Sequence, residues 1–198
     1  MQIFRLQRLR NSRGTSLLEV LIAALITGLI TTAAFKFYTA MHHQAETQYE
    51  VSEIQHLCRA SLHDMKKTLR MAGYKLTGHP SYEIKGDSLA IYFSASQPVD
   101  TFLYFLEEYT YDEYAQVPDL LQGKQLWKLM KQRNSFPAVV FSNCITDINY
   151  TAVNSDNMII VITIQTSRSD DTYSPNNGFR TYSLVERVNI RNMRYNGA

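Results

Sequence analysis

The sequence predicts an α+β protein in which one long N-terminal helix packs on a mostly antiparallel β-sheet. Two observations carry that prediction. Residues 39–72 contain neither Pro nor Gly, and apolar side chains recur there at helical spacing. Downstream, short β-prone runs rich in Tyr, Ile and Val alternate with turn residues. A third feature precedes both: an apolar run with four arginines in front of it.

The helix comes in two parts. Arg5, Arg8, Arg10 and Arg13 lie in the first 14 residues, which contain no acid. The rest of the chain then carries 16 Lys+Arg against 18 Asp+Glu. A basic head on a mildly acidic body reads as a targeting feature. From Leu17 to Ala34 the only charged residue is Glu19. As a helix this stretch spans about 27 Å, close to the roughly 30 Å of a bilayer's hydrocarbon core. A secretory signal peptide has a shorter apolar run, of about 7–15 residues, closed by a small-residue site that is missing here. The reading is a membrane-spanning helix. By the positive-inside rule, residues 1–14 are cytoplasmic and everything after about residue 37 lies outside the cytoplasm.

Glu19 is expensive at that depth, at roughly 2.5–3.5 kcal/mol on insertion scales. No cation lies near it on the apolar side. A cut after Gly14 would give Thr15 a free α-ammonium four residues before the carboxylate, within the chain or from a neighbouring subunit.

Beyond the apolar part, Val51, Ile54, Cys58, Leu62, Met65, Leu69 and Ala72 form one stripe of an amphipathic helix. The whole helix is expected from about residue 16 to 73, or about 87 Å, with Gly73 as its stop. Gly28 is a candidate point of loosening in its first half. Strands are expected at 81–93, a hairpin about Lys85-Gly86-Asp87, and at 101–111, 138–142, 145–153, 158–166 and 181–191. Residues 124–131 read equally as strand or short helix. MIIVITIQT, almost continuously apolar, is expected to be the central strand, covered on at least one face by the helix. In the last strand, Leu184, Val188 and Ile190 share one face and Arg187 and Arg191 the other. Residues 167–180 form a polar loop.

Few residues suggest chemistry. Cys58 and Cys144 are a candidate disulfide if the body is extracytoplasmic; the alternative is two separate buried cysteines. His56 and His63 are seven apart, too far for the pairing a helical metal site prefers. Glu107, Glu108, Asp112, Glu113 and Asp119 interleave with tyrosines and read as a solvated edge. A surface for a basic partner is the functional alternative. Asp170, Asp171, Asn176 and Asn177 have oxygens suited to Ca²⁺ but not the EF-hand spacing. Arg180, Arg187, Arg191 and Arg194 make a modest basic strip, too little for nucleic-acid binding. There is no P-loop, GxSxG, HExxH or dinucleotide fingerprint. The expectation is no enzyme, no cofactor and no metal.

RGTSLLEVLIAALITGLI resembles the type III signal of type IV pilins and pseudopilins. Gly14, Thr15 and Glu19 match the glycine before the cut, the first mature residue and the glutamate at mature position 5. Thr15 stands where the family most often has Phe. TLRMAGY at 68–74, FSNCITDINYTAV at 141–153 and VERVNIRN at 185–192 resemble segments of PilW-like minor pilins. The resemblance implies the type IV pilin fold and four regions. These are a leader at 1–14 that is removed, a transmembrane and filament-core helix at 15–37, its amphipathic continuation at 38–73, and a β-rich head at 74–198.

The resemblance further implies cleavage at Gly14–Thr15 by the prepilin peptidase, methylation of the new N-terminus, and subunit docking through Glu19. Implied partners are the prepilin peptidase, other minor pilins and the major pilin through the N-terminal helix, and the inner-membrane assembly machinery. The implied location is the bacterial inner membrane, single-pass with a cytoplasmic N-terminus. From there the subunit would pass into a periplasm-spanning or surface pilus. The implied role is priming of assembly in a tip-proximal minor-pilin complex. A J-type pseudopilin of type II secretion shares the layout. A rival of another class is an uncleaved, signal-anchored periplasmic binding protein or enzyme.

Overall fold

The computed structural model describes residues 16–76, 78–94, 99–110, 126–154, 156–170 and 173–191. The chain divides into two compact units, one up to Glu46 and one from Thr47. A single helix, α1 (Leu17–Leu69), supplies the described part of the first unit and opens the second.

In the first unit the helix carries its apolar residues outward, and every residue of its 18-residue apolar window is exposed. Thr27, Thr31 and Thr32 donate their hydroxyls to the carbonyls of Ala23, Thr27 and Gly28, each at 2.8 Å. These back-bonds satisfy hydroxyls that would otherwise be costly in an apolar setting. The space about Gly28 is open, and the helix runs through it without a break.

In the second unit α1 buries the expected stripe. Ile54, Cys58, Leu62, Met65 and Leu69 are buried, with Ala72 just beyond the last turn, and Val51 is half-buried. Ser61 and Thr68 fill the stripe's flank. The helix stops at Leu69, four residues before the expected glycine. The chain then tightens through three-residue turns, Met71 to Thr68 and Ala72 to Leu69. Gly73 adopts the left-handed conformation, φ 75°, and its amide donates to Tyr92 O at 2.9 Å. The glycine therefore turns the chain onto the sheet rather than ending the helix.

Among the described residues, seven antiparallel strands form one sheet in chain order: β1 (Tyr82–Lys85), β2 (Ser88–Phe93), β3 (Asp100–Glu108), β4 (Trp127–Arg133), β5 (Val139–Asn154), β6 (Asn157–Gln165) and β7 (Thr181–Asn189). Each pairs with the next, so every connection is local. The hairpin turns at Gly86, φ 57°. One face of the sheet meets the helix through Leu89, Ile91, Tyr104, Leu129, Ile145, Ile148, Met158, Ile160, Ile162, Ile164 and Val188.

Three strand details differ from expectation. The expected central strand, β6, is interior but one place from the edge; the middle of the sheet is β4, the segment that was ambiguous. Its pairing shifts register between Trp127 and Met130, which breaks the period-2 signal. The strands expected at 138–142 and 145–153 are one 16-residue strand, β5. Cys144, φ 56°, bulges within it and makes one strand look like two. Along β6 from Asn157 to Ile164 the even positions are buried and the odd ones half-buried, so one face is fully covered, as expected, and Gln165 at its end is buried too.

Candidate functional site

The helix start is the first candidate. Gly14 and Thr15, the processing pair, lie outside the described residues. Glu19 lies in the first turn of α1, and its Oε2 accepts the Ser16 backbone N–H at 3.4 Å. Ser16 and Glu19 thus form the back-reaching half of a capping box, the S-x-x-E pattern written in SLLE. The carboxylate also meets the positive end of the helix dipole. A local partner for Glu19 was therefore present in the sequence as a capping signal. The 3.4 Å contact is long for a hydrogen bond, and the carboxylate stays exposed.

Around it the helix presents Leu17, Leu18, Val20, Leu21, Ile22, Leu25, Ile26, Leu29 and Ile30, each between 49% and 79% exposed. Full burial of such side chains is worth about 1.5–3 kcal/mol each. Even at half that value the nine together gain roughly 7–13 kcal/mol on being covered. The carboxylate's cost of roughly 2.5–3.5 kcal/mol does not outweigh this. Soluble monomers rarely expose an apolar surface so large. A helix with none of its apolar window buried is not a domain's core helix. It is long and apolar enough to cross a membrane.

The other sequence candidates fall into separate places. Cys58 and Cys144 are both free and buried. Cys58 Sγ donates to Tyr182 O at 3.7 Å, and burial pushes its thiol up to about 11. Burial also raises the Cys144 thiol. The Cys144 backbone N–H donates to the Tyr109 hydroxyl at 3.0 Å, which holds the bulge in place. His42 and His43 both lie near Glu46, at 3.7 and 3.8 Å, and His56 and His63 are exposed.

Of the acidic stretch, Glu107 and Glu108 are exposed at the end of β3; Asp112, Glu113 and Asp119 lie outside the described residues. In the 167–180 loop, Asp171 is likewise outside them. Asp170 Oδ2 accepts from Arg180 at 3.0 Å and from Thr47 Oγ1 at 3.4 Å, so its carboxylate is an internal tie. Arg180 also lies 4.4 Å from the Tyr173 ring centroid. A short 3₁₀ turn, Pro175–Gly178, places Asn176 and Asn177 in the left-handed region. Among the described residues no three His, Cys, Asp or Glu gather as metal ligands. Arg187 and Arg191 are exposed, and Arg194 lies outside the described residues.

Sequence reasoning missed one cluster altogether. Asp64 on α1 receives Lys131 from β4 at 2.6 Å and the Tyr104 hydroxyl from β3 at 2.7 Å. Tyr104 also shares a 3.0 Å hydrogen bond with Thr68. Lys131 sits 5.0–5.6 Å from the rings of Phe102, Tyr104 and Phe141. This cluster fastens the helix to the sheet. The only hint in the sequence is a polar residue beside the apolar stripe.

Comparison with protein-family models, with curated proteins and with solved structures finds no match to this chain.

Proposed function

We propose that the chain is a PilW-like minor type IV pilin, a structural subunit rather than an enzyme. One observation carries this reading. An uncovered apolar helix begins at an acidic residue and continues into a helix that packs on an antiparallel sheet. In this account the prepilin peptidase cuts between Gly14 and Thr15 at the inner membrane. The apolar helix then leaves lipid for the helices of other minor pilins and the major pilin. Lipid and apolar helices are equivalent solvents for Leu and Ile, so the transfer is set by packing and by polar pairing. Glu19 supplies the polar pairing. Its carboxylate meets a neighbour's α-ammonium, and each charge is compensated only in correct axial register. The subunit then primes filament assembly within a tip-proximal complex.

The capping contact provides the test. Gln at the same helix position preserves a capping box but removes the charge. Glu19→Gln and Glu19→Ala are compared for membrane insertion, cleavage and incorporation into filaments. A docking charge predicts that both variants insert and are cut, and that both fail to incorporate. Normal incorporation of Glu19→Gln would mean that the residue serves only as a cap.

A further inference from the structure

In the unit from Thr47 onward, β7 is an edge strand of the sheet formed by the described residues. Backbone bonds bracket it: Thr166 N–H donates to Arg180 O at 2.8 Å, and Ile190 N–H donates to Asp156 O at 2.7 Å. The register between β6 and β7 runs from Thr181 to Asn189 without a shift. Alternation therefore turns the backbone groups of even residues toward β6 and those of odd residues toward the open side. Among the described residues nothing bonds the outward N–H and C=O groups of Thr181, Ser183, Val185, Arg187 and Asn189. Sheet edges are commonly blunted by short length, proline or a bulge. The opposite edge, β1, has four residues, whereas β7 has nine, with no proline and no shift of register.

A basic flank of α1 lies beside this edge. Arg59, His63 and Lys66 line a groove of 160 Å³ together with Leu184 and Glu186 of β7. A second groove, of 350 Å³, shares His63 and Lys66 and adds Lys67 and Arg70. Glu186 is the one acid among the described residues of either lining, and Lys66 already holds it. Arg59, His63, Lys66 and Arg70 recur at spacings of 4, 3 and 4, which sets them along one flank. They cover about 16 Å of helix, the length of about five strand residues. Cys58 Sγ meets Tyr182 O and Lys66 meets Glu186, so helix and strand advance together. The helix-side residues of a strand laid on β7 would pass these basic groups in turn. Alternating donors and acceptors suit a polypeptide main chain, whereas a nucleic-acid backbone has no matching row of donors. A second copy's edges bring little charge to that face: Glu186 on β7, and Tyr82 and Ile84 on β1. We infer that β7 is an addition edge for an extended acidic segment of another polypeptide. The segment lies antiparallel to β7, bonds to its odd residues, and turns alternate carboxylates toward Arg59, His63 and the basic groups beside them. The site stands independently of the filament reading.

The test uses the full chain in detergent micelles, with amide hydrogen exchange followed by NMR. The probe is the acetylated and amidated peptide Thr-Glu-Val-Glu-Val-Glu-Val-Glu-Thr. The Val185 and Arg187 amides should exchange fast in the free chain and be protected saturably by the peptide. Those of Leu184 and Glu186, bonded to β6, should change little. N-methylation of the peptide's valines, whose amides point at β7 in this pairing, should abolish protection; the same change at its glutamates should not. Glutamine in place of the glutamates should weaken binding about tenfold, and Arg59→Gln about two- to fivefold, the scale of exposed ion pairs. Val185→Pro removes an outward N–H that β6 does not use, so the edge should fold and the peptide should no longer bind. No protection by the acidic peptide, or equal protection by its glutamine form, overturns the proposal. Protection in the free chain that grows with its concentration assigns the edge to a second copy and overturns it too. So does a stronger response of Arg59 to oligothymidylate with no protection of β7, which assigns the flank to nucleic acid.

Discussion

The Tyr104 hydroxyl lies 2.7 Å from Asp64 Oδ2, the atom that also receives Lys131 at 2.6 Å. Forty residues separate tyrosine from aspartate and 67 separate lysine from aspartate, so one carboxylate ties α1 to β3 and to β4. Side chains of Lys131 and Asp64 are 21% and 29% exposed. The pair is thus largely withdrawn from water, where a carboxylate bonded twice contributes more than a surface ion pair.

Asp64→Ala leaves the Lys131 ammonium among three aromatic rings with its carboxylate gone. The expected loss is about 3 kcal/mol, the lower end of the cost of breaking a buried pair. Another ion pair between helix and sheet joins Lys66 to Glu186 at slightly greater exposure, without a second donor of the kind Tyr104 gives Asp64 among the hydrogen bonds described. Lys66→Met should cost about 1 kcal/mol or less. Chemical denaturation followed by tryptophan fluorescence checks the order of the two.

Stability should fall steeply in alkali. Burial raises the Tyr104 and Tyr150 hydroxyls above their ordinary value of 10.0, and Tyr104 is raised further by donating to Asp64. Below pH 10 both are neutral whether the chain is folded or not, so they contribute no pH dependence. Above pH 10 the unfolded chain loses their protons while the folded chain keeps them, so stability declines as pH rises. Two such groups give a slope of about 2.7 kcal/mol per pH unit. Tyr104→Phe should roughly halve that slope, read from unfolding curves at pH 10 to 11.5.

The cysteines should be present as two slow thiols. At pH 8 a thiol pushed up to about 11 is ionised at about one part in a thousand. Iodoacetamide should leave Cys58 and Cys144 untouched in the native chain. After unfolding without reductant it should add two alkyl groups. An unfolded chain that accepts none would mean that the two are bonded to each other.

Gly178→Ala should destabilise the second unit by roughly 1–3 kcal/mol. Gly178 has φ 87°, and an added Cβ would lie 3.0 Å from Asp170 O and 3.1 Å from Asp170 N. Both are backbone atoms of the segment that also holds the Arg180 pair. Gly28→Ala, at a position with open space, should leave stability unchanged or slightly raised. Thermal unfolding of the two variants separates the cases.

What the sequence disclosed follows from the range of each interaction. The stripe from Ile54 to Ala72 was legible because helical burial repeats every three to four residues. The α+β class followed from that stripe and from the strand runs. The division of β5 was misread because Cys144 breaks the alternation from within, with no glycine to announce a left-handed residue. The place of β4 was hidden by the register shift after Trp127. At the helix start SLLE held both an apparent anomaly and its local resolution, since the same glutamate caps Ser16. The Asp64 cluster and the meeting of Arg59 and His63 with the β7 edge join residues far apart in sequence, and no local period encodes them.

The central claim is that the helix belongs to a processed filament subunit, and the mature N-terminus tests it most directly. The full chain is co-expressed with an active prepilin peptidase, and its N-terminus is determined by intact mass and N-terminal peptide mass spectrometry. The account predicts a chain beginning at Thr15 with a methylated α-amine, which removes the four arginines and sets the ammonium four residues before Glu19. An intact N-terminus beside a peptidase that cuts its control substrate would contradict it.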